Sequence, residues 1–151
     1  MAPLEGFPAK AISVRLLRAR EAVMGHVRPV LRAHGFTEQQ YRVLRTLQNE
    51  APLDNATIAA RATLLPPSVT RILADLQRRG LVEDVRDNGR WVRARLTVPG
   101  RRAVEAAAEE VDRIGTLFAA RFGADRLRTL ETLLEAVEDC FGAVEDTLNE
   151  S

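Results

Sequence analysis

The sequence is poor in the residues that build disulfides and metal centres. Its 151 residues include one cysteine, Cys140, and two histidines, His26 and His34. A lone cysteine cannot close a bridge within its own chain, and a structural zinc site needs about four cysteine or histidine ligands. We therefore expect neither a disulfide framework nor a metal centre.

A long hydrophobic run is also missing. Apolar residues make up 46% of the chain and charged residues 28%, and no stretch of about 18 uncharged apolar residues is available to cross a bilayer. Pro3, Glu5, Gly6 and Pro8 stand where a secretory signal needs an apolar core. These absences predict a single cytoplasmic domain, residues 1–151, without a membrane partner.

Arrangements typical of catalysis are absent from the sequence. We find no nucleophile beside a base, no glycine-rich phosphate loop and no carboxylate pair in a defined pocket. Glu109 and Glu110 belong to a generally acidic helix face. Cys140 stands beside Val137 and Phe141, which favours simple packing over a redox role. We predict a protein that is not an enzyme and needs no cofactor.

Lysine is nearly absent too, so the positive charge comes from arginine, and it is unevenly distributed. Residues 41–102 contain twelve arginines and six acids, a net charge of +6. Residues 103–151 contain four arginines and twelve acids, a net charge of −8. A basic middle followed by an acidic remainder indicates a face that binds a polyanion.

Hydrophobic periodicity predicts a mainly α protein. Apolar residues at steps of three and four predict a first helix from Lys10 to His34, which Gly35 ends. Three shorter helices follow. The first begins at the capping pair Thr37 and Gln40 and ends before Pro52. The second has Asp54 as its N-cap and runs to Ala62. The third begins at Pro67 and is ended by Gly80.

The period changes from helical to two after Gly80, which predicts a β-hairpin. Its strands are Leu81–Arg86 and Trp91–Thr97, and Asn88-Gly89 suits a type I′ turn. Alternation in the second strand predicts that Val92, Ala94 and Leu96 face inward and that the arginines face outward. Beyond Pro99 the pattern predicts two acidic amphipathic helices that are separated at Gly123.

Two short helices, the second with a basic face, are followed by a hairpin with an arginine at its tip. This combination is typical of a winged helix-turn-helix. The N-terminal side chains of such a helix reach base edges in the DNA major groove, and a hairpin tip lies along the minor groove. The predicted base-reading residues are Pro67, Ser68, Thr70 and Arg71; Arg78 and Arg79 are predicted to meet phosphate, and Arg90 to enter the minor groove, flanked by Arg86, Arg93 and Arg95. If this helix stood alone, its polar face would be interpreted as a solvent-exposed surface without a function. The hairpin that follows and the charge distribution favour a DNA-binding surface instead. A winged-helix adaptor that binds an acidic protein is the alternative.

Four segments carry a resemblance to a known family. They are Thr37–Arg45, Leu65–Leu73, Gly80–Val82, and Leu96-Thr97 with Gly100. These segments resemble the MarR family of dimeric bacterial transcription regulators, and the similarity extends from Leu16 to the last helix. Within that family, Leu17–Ala22, Arg28-Pro29 and Thr37–Gln40 are similar to repressors of homoprotocatechuate (4-hydroxyphenylacetate) degradation operons.

This sequence departs from the family pattern in the wing, which is the predicted hairpin. The family usually has an acid followed by two arginines there. The same positions here are Asn88, Gly89 and Arg90, so the second arginine alone is retained. The resemblance implies a homodimer through helices in 10–35 and 101–148, a DNA-binding module at 37–99, and a pseudo-palindromic operator of double-stranded DNA. An apolar stripe as long as Leu127–Leu148 independently favours a dimer.

Members of this family commonly release DNA when a small aromatic or phenolic acid binds. Arg20 falls on the apolar side of the first helix, between Leu16 and Val23, where a charge needs a partner. The carboxylate of an aromatic acid is one partner. The alternatives are a nearby acid such as Glu21 or Glu38, or a packed stem with a solvated head. The other predicted ligand-binding residues are His26, Tyr41 and Arg42.

Overall fold

The computed structural model of the chain describes residues 9–87 and 91–149, and in them it has helices and one hairpin, as predicted. In chain order the elements are α1 (Ala9–Ala33), α2 (Glu38–Glu50), α3 (Asn55–Ala62), α4 (Pro66–Arg78), β1 (Val82–Asp87), β2 (Trp91–Leu96), α5 (Val98–Phe122) and α6 (Ala124–Asn149). Within the described ranges no helix has both the length and the hydropathy that crossing a bilayer requires. The chain divides into two compact units, Met1–Val111 and Asp112–Ser151.

Helices α2 and α3 begin at the predicted caps. The Thr37 hydroxyl accepts from the Gln40 backbone N–H at 3.1 Å, and the Gln40 side chain accepts from the Thr37 N–H at 2.9 Å. Asp54 accepts from the Thr57 backbone N–H at 2.8 Å. Hydrogen bonds from Thr57 lower the pKa of Asp54, and the positive charge of Arg93 lowers it further. The caps settle where α2 and α3 begin.

Helices α1 and α4 end in the same way, each at a glycine with positive φ. Gly35 has φ 75° and Gly80 has φ 70°. The next residue donates its N–H to a carbonyl five positions back, at 2.8 Å for Phe36 and at 2.9 Å for Leu81. This pattern satisfies carbonyls that the helix leaves unpaired, and it turns the chain sharply. The chain therefore leaves α4 directly toward the hairpin.

One hydrophobic core holds the first unit together. Val69 and Leu76 of α4 are completely buried, and so are the apolar residues of α2. The last turns of α1 and the first turns of α5 join the same core. The buried residues of these other helices are Val27, Leu31, Val43, Leu44, Leu47, Ile58, Ala59, Ala62, Val104 and Ala107. Helix α4 begins at Pro66, one residue earlier than the sequence predicts.

The hairpin is antiparallel, and it is tied to the helices by a pairing that the sequence does not predict. Leu53, between α2 and α3, exchanges both backbone hydrogen bonds with Ala94, at 3.1 and 2.7 Å. Ala94 and Leu96 are buried as predicted, and Val92 lies on the same face of the strand as predicted, but it is 52% exposed. Val92 lies farther out along the hairpin than these two, beyond the reach of the core.

The tip of the hairpin lies outside the described residues, and so does the predicted role of Arg90. The strand register pairs Asp87 with Trp91. A two-residue turn at Asn88-Gly89 would instead pair Asp87 with Arg90. The pairing of Asp87 with Trp91 thus differs from the one that the predicted two-residue turn requires.

The hairpin is joined to α5 through Thr97 and Gly100. The Thr97 hydroxyl accepts from the Gly100 N–H at 3.0 Å and donates to the Gly80 carbonyl at 2.7 Å. Gly100 lies against the backbone of Leu81, where an added Cβ would come within 1.9 Å of the carbonyl oxygen. Glycine is therefore required at this crossing of two backbone segments.

In the second unit, the helix faces leave large apolar side chains exposed. Phe118 and Phe122 of α5 stack on each other with ring centroids 5.1 Å apart. Where the structure describes side chains in this unit, up to residue 140, the large exposed apolar residues are Leu117, Phe118, Leu130, Leu133 and Leu134. Cys140 is exposed as well, so the packing predicted for it is wrong for a single chain, in which Leu130, Leu133 and Leu134 of the same helix are also exposed.

Replacing Gly100 by alanine should destabilise the protein by about 2 kcal/mol or more, because the new methyl group would collide with the Leu81 backbone. Gly115 of the same helix has nothing within 4 Å of an added Cβ. Gly115→Ala is the matched control, and it should raise stability by about 0.5–1 kcal/mol through helix propensity. Urea unfolding at one protein concentration measures both, and equal effects of the two substitutions would contradict the close crossing.

Replacing Asp54 by asparagine should flatten the acid limb of the stability curve. The folded-state pKa of Asp54 lies below its ordinary value of 3.8, so its stabilising contribution is complete above that pH and is lost as the pH falls through the folded-state pKa. Asparagine keeps the cap but does not titrate in this range. Unfolding of both proteins from about pH 6 to pH 2 checks this, and parallel curves would rule out the contribution.

Candidate nucleic-acid interface

The N-terminal half of α4 presents most of the predicted base-reading residues to solvent. Pro67, Thr70 and Arg71 are exposed, and Ser68 is half-buried. Complete burial of Val69 on the opposite side fixes the rotation of the helix about its axis. The structure thus brings these four residues together on one outward surface, which we call the reading face.

The backbone at the start of the reading face offers few hydrogen-bond donors. The N-cap Leu65 has no side-chain cap, and the next two residues, Pro66 and Pro67, have no backbone N–H. The Leu65 carbonyl accepts from Ser68 and Val69 at 2.9 and 3.2 Å. Recognition there depends mainly on side chains, because two of the first positions are prolines and the Ser68 N–H is bonded to Leu65.

The two predicted phosphate contacts at the end of α4 are held differently. Arg78, although 76% exposed, pairs with Asp75 at 2.7 Å. Arg79 lies over the Phe36 ring, 5.3 Å from its centroid, and donates to the Gly35 carbonyl at 3.0 Å. Asp75 also accepts from the Gln40 side chain at 2.9 Å. Arg79 therefore joins the end of α4 to the end of α1, a role that the sequence did not indicate.

The arginines of the hairpin lie on both of its faces. In the register, Arg86 is opposite Val92 and Arg93 is opposite Val85. Residues directly opposite share a face, and neighbours along a strand alternate, so Arg86 and Arg93 lie on opposite faces. Both are exposed. Arg95, one strand position beyond Ala94, pairs with Glu83 at 2.7 Å.

Arg20 is paired with acidic side chains, as one of the predicted alternatives had it. Its guanidinium contacts Glu38 and lies 3.1 Å from Glu21. Arg28 binds the same two acids, Glu21 at 2.7 Å and Glu38 at 3.3 Å. The hydrogen bond from Arg28 lowers the pKa of Glu21, and the positive charges of Arg28 and Arg20 lower it further. We call these four residues the ion cluster.

The sequence reasoning missed Arg28 as a member of the ion cluster. The signal was its spacing of seven residues from Glu21, which places both on one helix face. A cavity of about 260 Å³ opens beside the cluster, and Arg28, Leu31, Phe36 and Glu38 contribute to its lining. Small-molecule sites combine apolar walls with a few polar groups, and this open cavity places the apolar side chains of Leu31 and Phe36 beside the charges of Arg28 and Glu38.

Arg42 is placed near Arg20 but is bound elsewhere. It donates to the carbonyls of Ala62 and Thr63 at 3.0 and 3.3 Å. Burial lowers the pKa of Arg42, and the positive charge of Arg20 lowers it further. Its Nε is buried and has no hydrogen-bond partner among the described residues. The buried Nε–H is therefore one donor of Arg42 that a ligand could satisfy.

The other two predicted ligand residues differ in placement. Tyr41 is half-buried and packs against the core. His26 is exposed on α1, and its spacing of six residues from Arg20 puts the two about 120° apart around the helix. The structure therefore places Arg20 and His26 on different faces. Across residues 9–87 and 91–149, no group of three His, Cys, Asp or Glu side chains is arranged to hold a metal ion.

Together, the fold, the reading face and the hairpin arginines define the class of winged helix-turn-helix DNA-binding proteins. Residues 36–89 match the family model of the MarR family. The chain is 34% identical over 127 residues to the homoprotocatechuate degradative operon repressor of Escherichia coli, covering 83% of this chain and 86% of that protein. It is 34% identical over 141 residues to the HTH-type transcriptional regulator FarR of Neisseria gonorrhoeae, covering 92% and 94%.

A solved structure gives the same result. The crystal structure of NadR in complex with 4-hydroxyphenylacetate superposes with a TM-score of 0.77 at 33% identity, covering 90% of this chain and 97% of that one. The chain belongs to the MarR family. It is a transcriptional regulator rather than an enzyme, and the predicted family and winged-helix fold are confirmed.

Proposed function

We propose that the chain is a homodimeric repressor that binds a pseudo-palindromic operator and is released from it by a small aromatic acid. The observation that carries the DNA half of this proposal is the reading face next to a hairpin with arginines on both faces. The aromatic acid is supported by the relatives, since one is a homoprotocatechuate operon repressor and NadR binds 4-hydroxyphenylacetate.

In this proposal the reading face enters the major groove and Arg71 donates to a guanine edge. The hairpin lies between two phosphate strands, which suits arginines on both of its faces, Arg86 on one and Arg93 on the other. Arg78 keeps its predicted phosphate contact. We leave out Arg79, because its guanidinium is held by Phe36 and Gly35.

Dimerisation is supported by exposed apolar side chains in each unit. Leu16 and Val23 of α1 are exposed in the first unit, and Leu130, Leu133 and Leu134 of α6 are exposed in the second. Large apolar patches on a single chain mark surfaces that bind another protein. A second copy with two-fold symmetry would present two reading faces about one helical turn of DNA, roughly 34 Å, apart.

The effector site that we propose is the ion cluster together with Arg42. A ligand carboxylate would compete with Glu38 for Arg20, and it would accept from the buried Nε of Arg42. An unsatisfied buried donor is unfavourable, so its satisfaction strengthens binding. The cavity beside Arg28 would take the aromatic ring.

Arg71→Ala should weaken operator binding about 5- to 150-fold and relax base preference at one position. Arg86→Ala and Arg93→Ala should instead weaken binding to all DNA sequences by similar factors. Each should also reduce the slope of the logarithm of the DNA association constant against the logarithm of salt concentration by about 1. Arg126→Ala, the same charge change in the acidic second unit, is the control. The measurement is fluorescence anisotropy on an operator selected from random duplex DNA.

Selection that yields no preferred DNA sequence would contradict the proposed repressor. Binding confined to an acidic protein partner would favour the adaptor instead. Equal losses for Arg126→Ala and Arg71→Ala would show that the reading face does not contact the bases.

Calorimetry with 4-hydroxyphenylacetate should detect binding, and Arg20→Met should weaken it at least about tenfold by removing a charge-assisted hydrogen bond. Glu38→Gln should tighten it, since the competing carboxylate is removed. The matched ligand control is 4-hydroxyphenethyl alcohol, which lacks the carboxylate and should not distinguish Arg20→Met from the parent. Tighter binding of the acid to Arg20→Met would overturn the proposed site.

A further inference from the structure

The hydroxyl group of Thr70, in the middle of the reading face, is engaged on two sides. It donates to the Pro66 carbonyl one turn back, at 3.1 Å. It accepts from the side-chain amide of Asn55, the first residue of α3, at 2.7 Å. Neither sequence pattern nor charge pointed to Asn55, because its partner lies fifteen residues away in the next helix.

These two bonds determine what Thr70 can offer to a ligand. A threonine hydroxyl has one hydrogen and two lone pairs. The hydrogen goes to Pro66 and one lone pair to Asn55, so one lone pair and the side-chain methyl group remain. If the amide were reversed, the hydroxyl hydrogen would go to the Asn55 oxygen and the bond to Pro66 would be lost. The orientation with the amide nitrogen toward Thr70 keeps both bonds.

A surface with an acceptor and a methyl group, but no donor, discriminates among bases in the major groove. Adenine and cytosine each present an amino donor there, and thymine presents a methyl group. Guanine presents two acceptors, N7 and O6, which would face the Thr70 lone pair without a hydrogen between them. A guanine at this place is therefore disfavoured.

We infer that Asn55 is a positioning residue for base recognition: by holding the Thr70 hydroxyl it makes this point of the reading face an acceptor and methyl surface that excludes guanine. The inference rests on the proposed DNA-binding function and adds a rule of base preference to it. Asn55 acts through Thr70 and does not itself need to contact DNA.

Burial separates this role from a merely structural one. The Asn55 side-chain oxygen is buried and has no hydrogen-bond partner among the described residues. An unsatisfied buried oxygen does not favour folding. The residue also borders an apolar groove of about 330 Å³, with Leu73 and Val92 among its walls. Leucine, similar to asparagine in size, should therefore be tolerated at this position without loss of stability.

The test compares Asn55→Leu, Thr70→Val and the double variant on a panel of operators in which each base pair is replaced in turn by the other three. Thr70→Val keeps the shape and removes the hydroxyl. Thr46→Val is the matched control, because Thr46 makes the same bond one turn back, to the Arg42 carbonyl at 2.9 Å, within α2. Thermal unfolding is measured for every variant.

We compare two operators that differ in one base pair, G·C or C·G, at the position opposite Thr70. The parent protein should bind the operator with guanine facing Thr70 at least about tenfold more weakly than the operator with cytosine there. Asn55→Leu should reduce this ratio below about threefold, because the hydroxyl then keeps the Pro66 bond alone and can exchange it for donation to guanine. Thr70→Val should alter the same position, and the double variant should behave like Thr70→Val alone. Melting temperature should not fall for Asn55→Leu, and Thr46→Val should leave every ratio unchanged.

Three outcomes would overturn the inference. Guanine could be the preferred base at the operator position whose preference Thr70→Val changes, or Thr70→Val could change the base preference at no position. The ratio of affinities for cytosine and guanine could also stay unchanged in Asn55→Leu. In each of them the parent still binds a preferred sequence. Failure of the parent itself to select any sequence is the different result that would overturn the proposed function.

Discussion

Complete burial of Val69 and Leu76 is the constraint on which the rest of the DNA-binding unit depends. The two residues lie seven apart on one side of α4, and both have no exposed surface. A helix held at two points two turns apart cannot rotate or tilt without opening a cavity in a close-packed core. Whatever lies on the other side of α4, Thr70 and Arg71 included, is therefore fixed in direction.

Polar contacts then secure the ends of this helix. At its end, Asp75 receives hydrogen bonds from Gln40 and Arg78, and Arg79 reaches across to Phe36. Near its start, the Asn55 amide orients the Thr70 hydroxyl without being needed for stability. The last turn is also joined to the hairpin, since Gln77 donates to Asp84 at 2.6 Å. Neighbouring helices and the hairpin thus share in holding α4, which favours a rigid reading face.

Arg42 connects the proposed effector site with the turn that precedes α4. Its guanidinium bonds to the carbonyls of Ala62 and Thr63, while its pKa responds to the charge of Arg20. Thr63 has a positive φ of 52°, a conformation that a β-branched residue adopts only where its surroundings hold it. A ligand that changed the bonding of Arg42 would act directly on this turn, and so on the position of the reading face.

Much of this architecture could be read from the sequence, because its signals are local. The capping pair of Thr37 and Gln40, the cap at Asp54 and the glycine ends at Gly35 and Gly80 each depend on residues within five positions. The exposure of Val92 and the pairing of Leu53 with Ala94 could not be read in this way, since both depend on how far a core assembled from distant segments extends.

The same distinction between local signals and long-range packing applies to the residues of the candidate sites. Amphipathic spacing alone determined that Thr70 and Arg71 lie opposite the buried side of their helix, and local composition determined the basic charge around them. Only the tertiary structure decided that Arg79 is held by Phe36, that Arg20 shares Glu38 with Arg28, and that Thr70 meets Asn55. Periodicity shows which way a side chain points along its own helix, but which atom it meets is set by the packing of helices that are far apart in the chain.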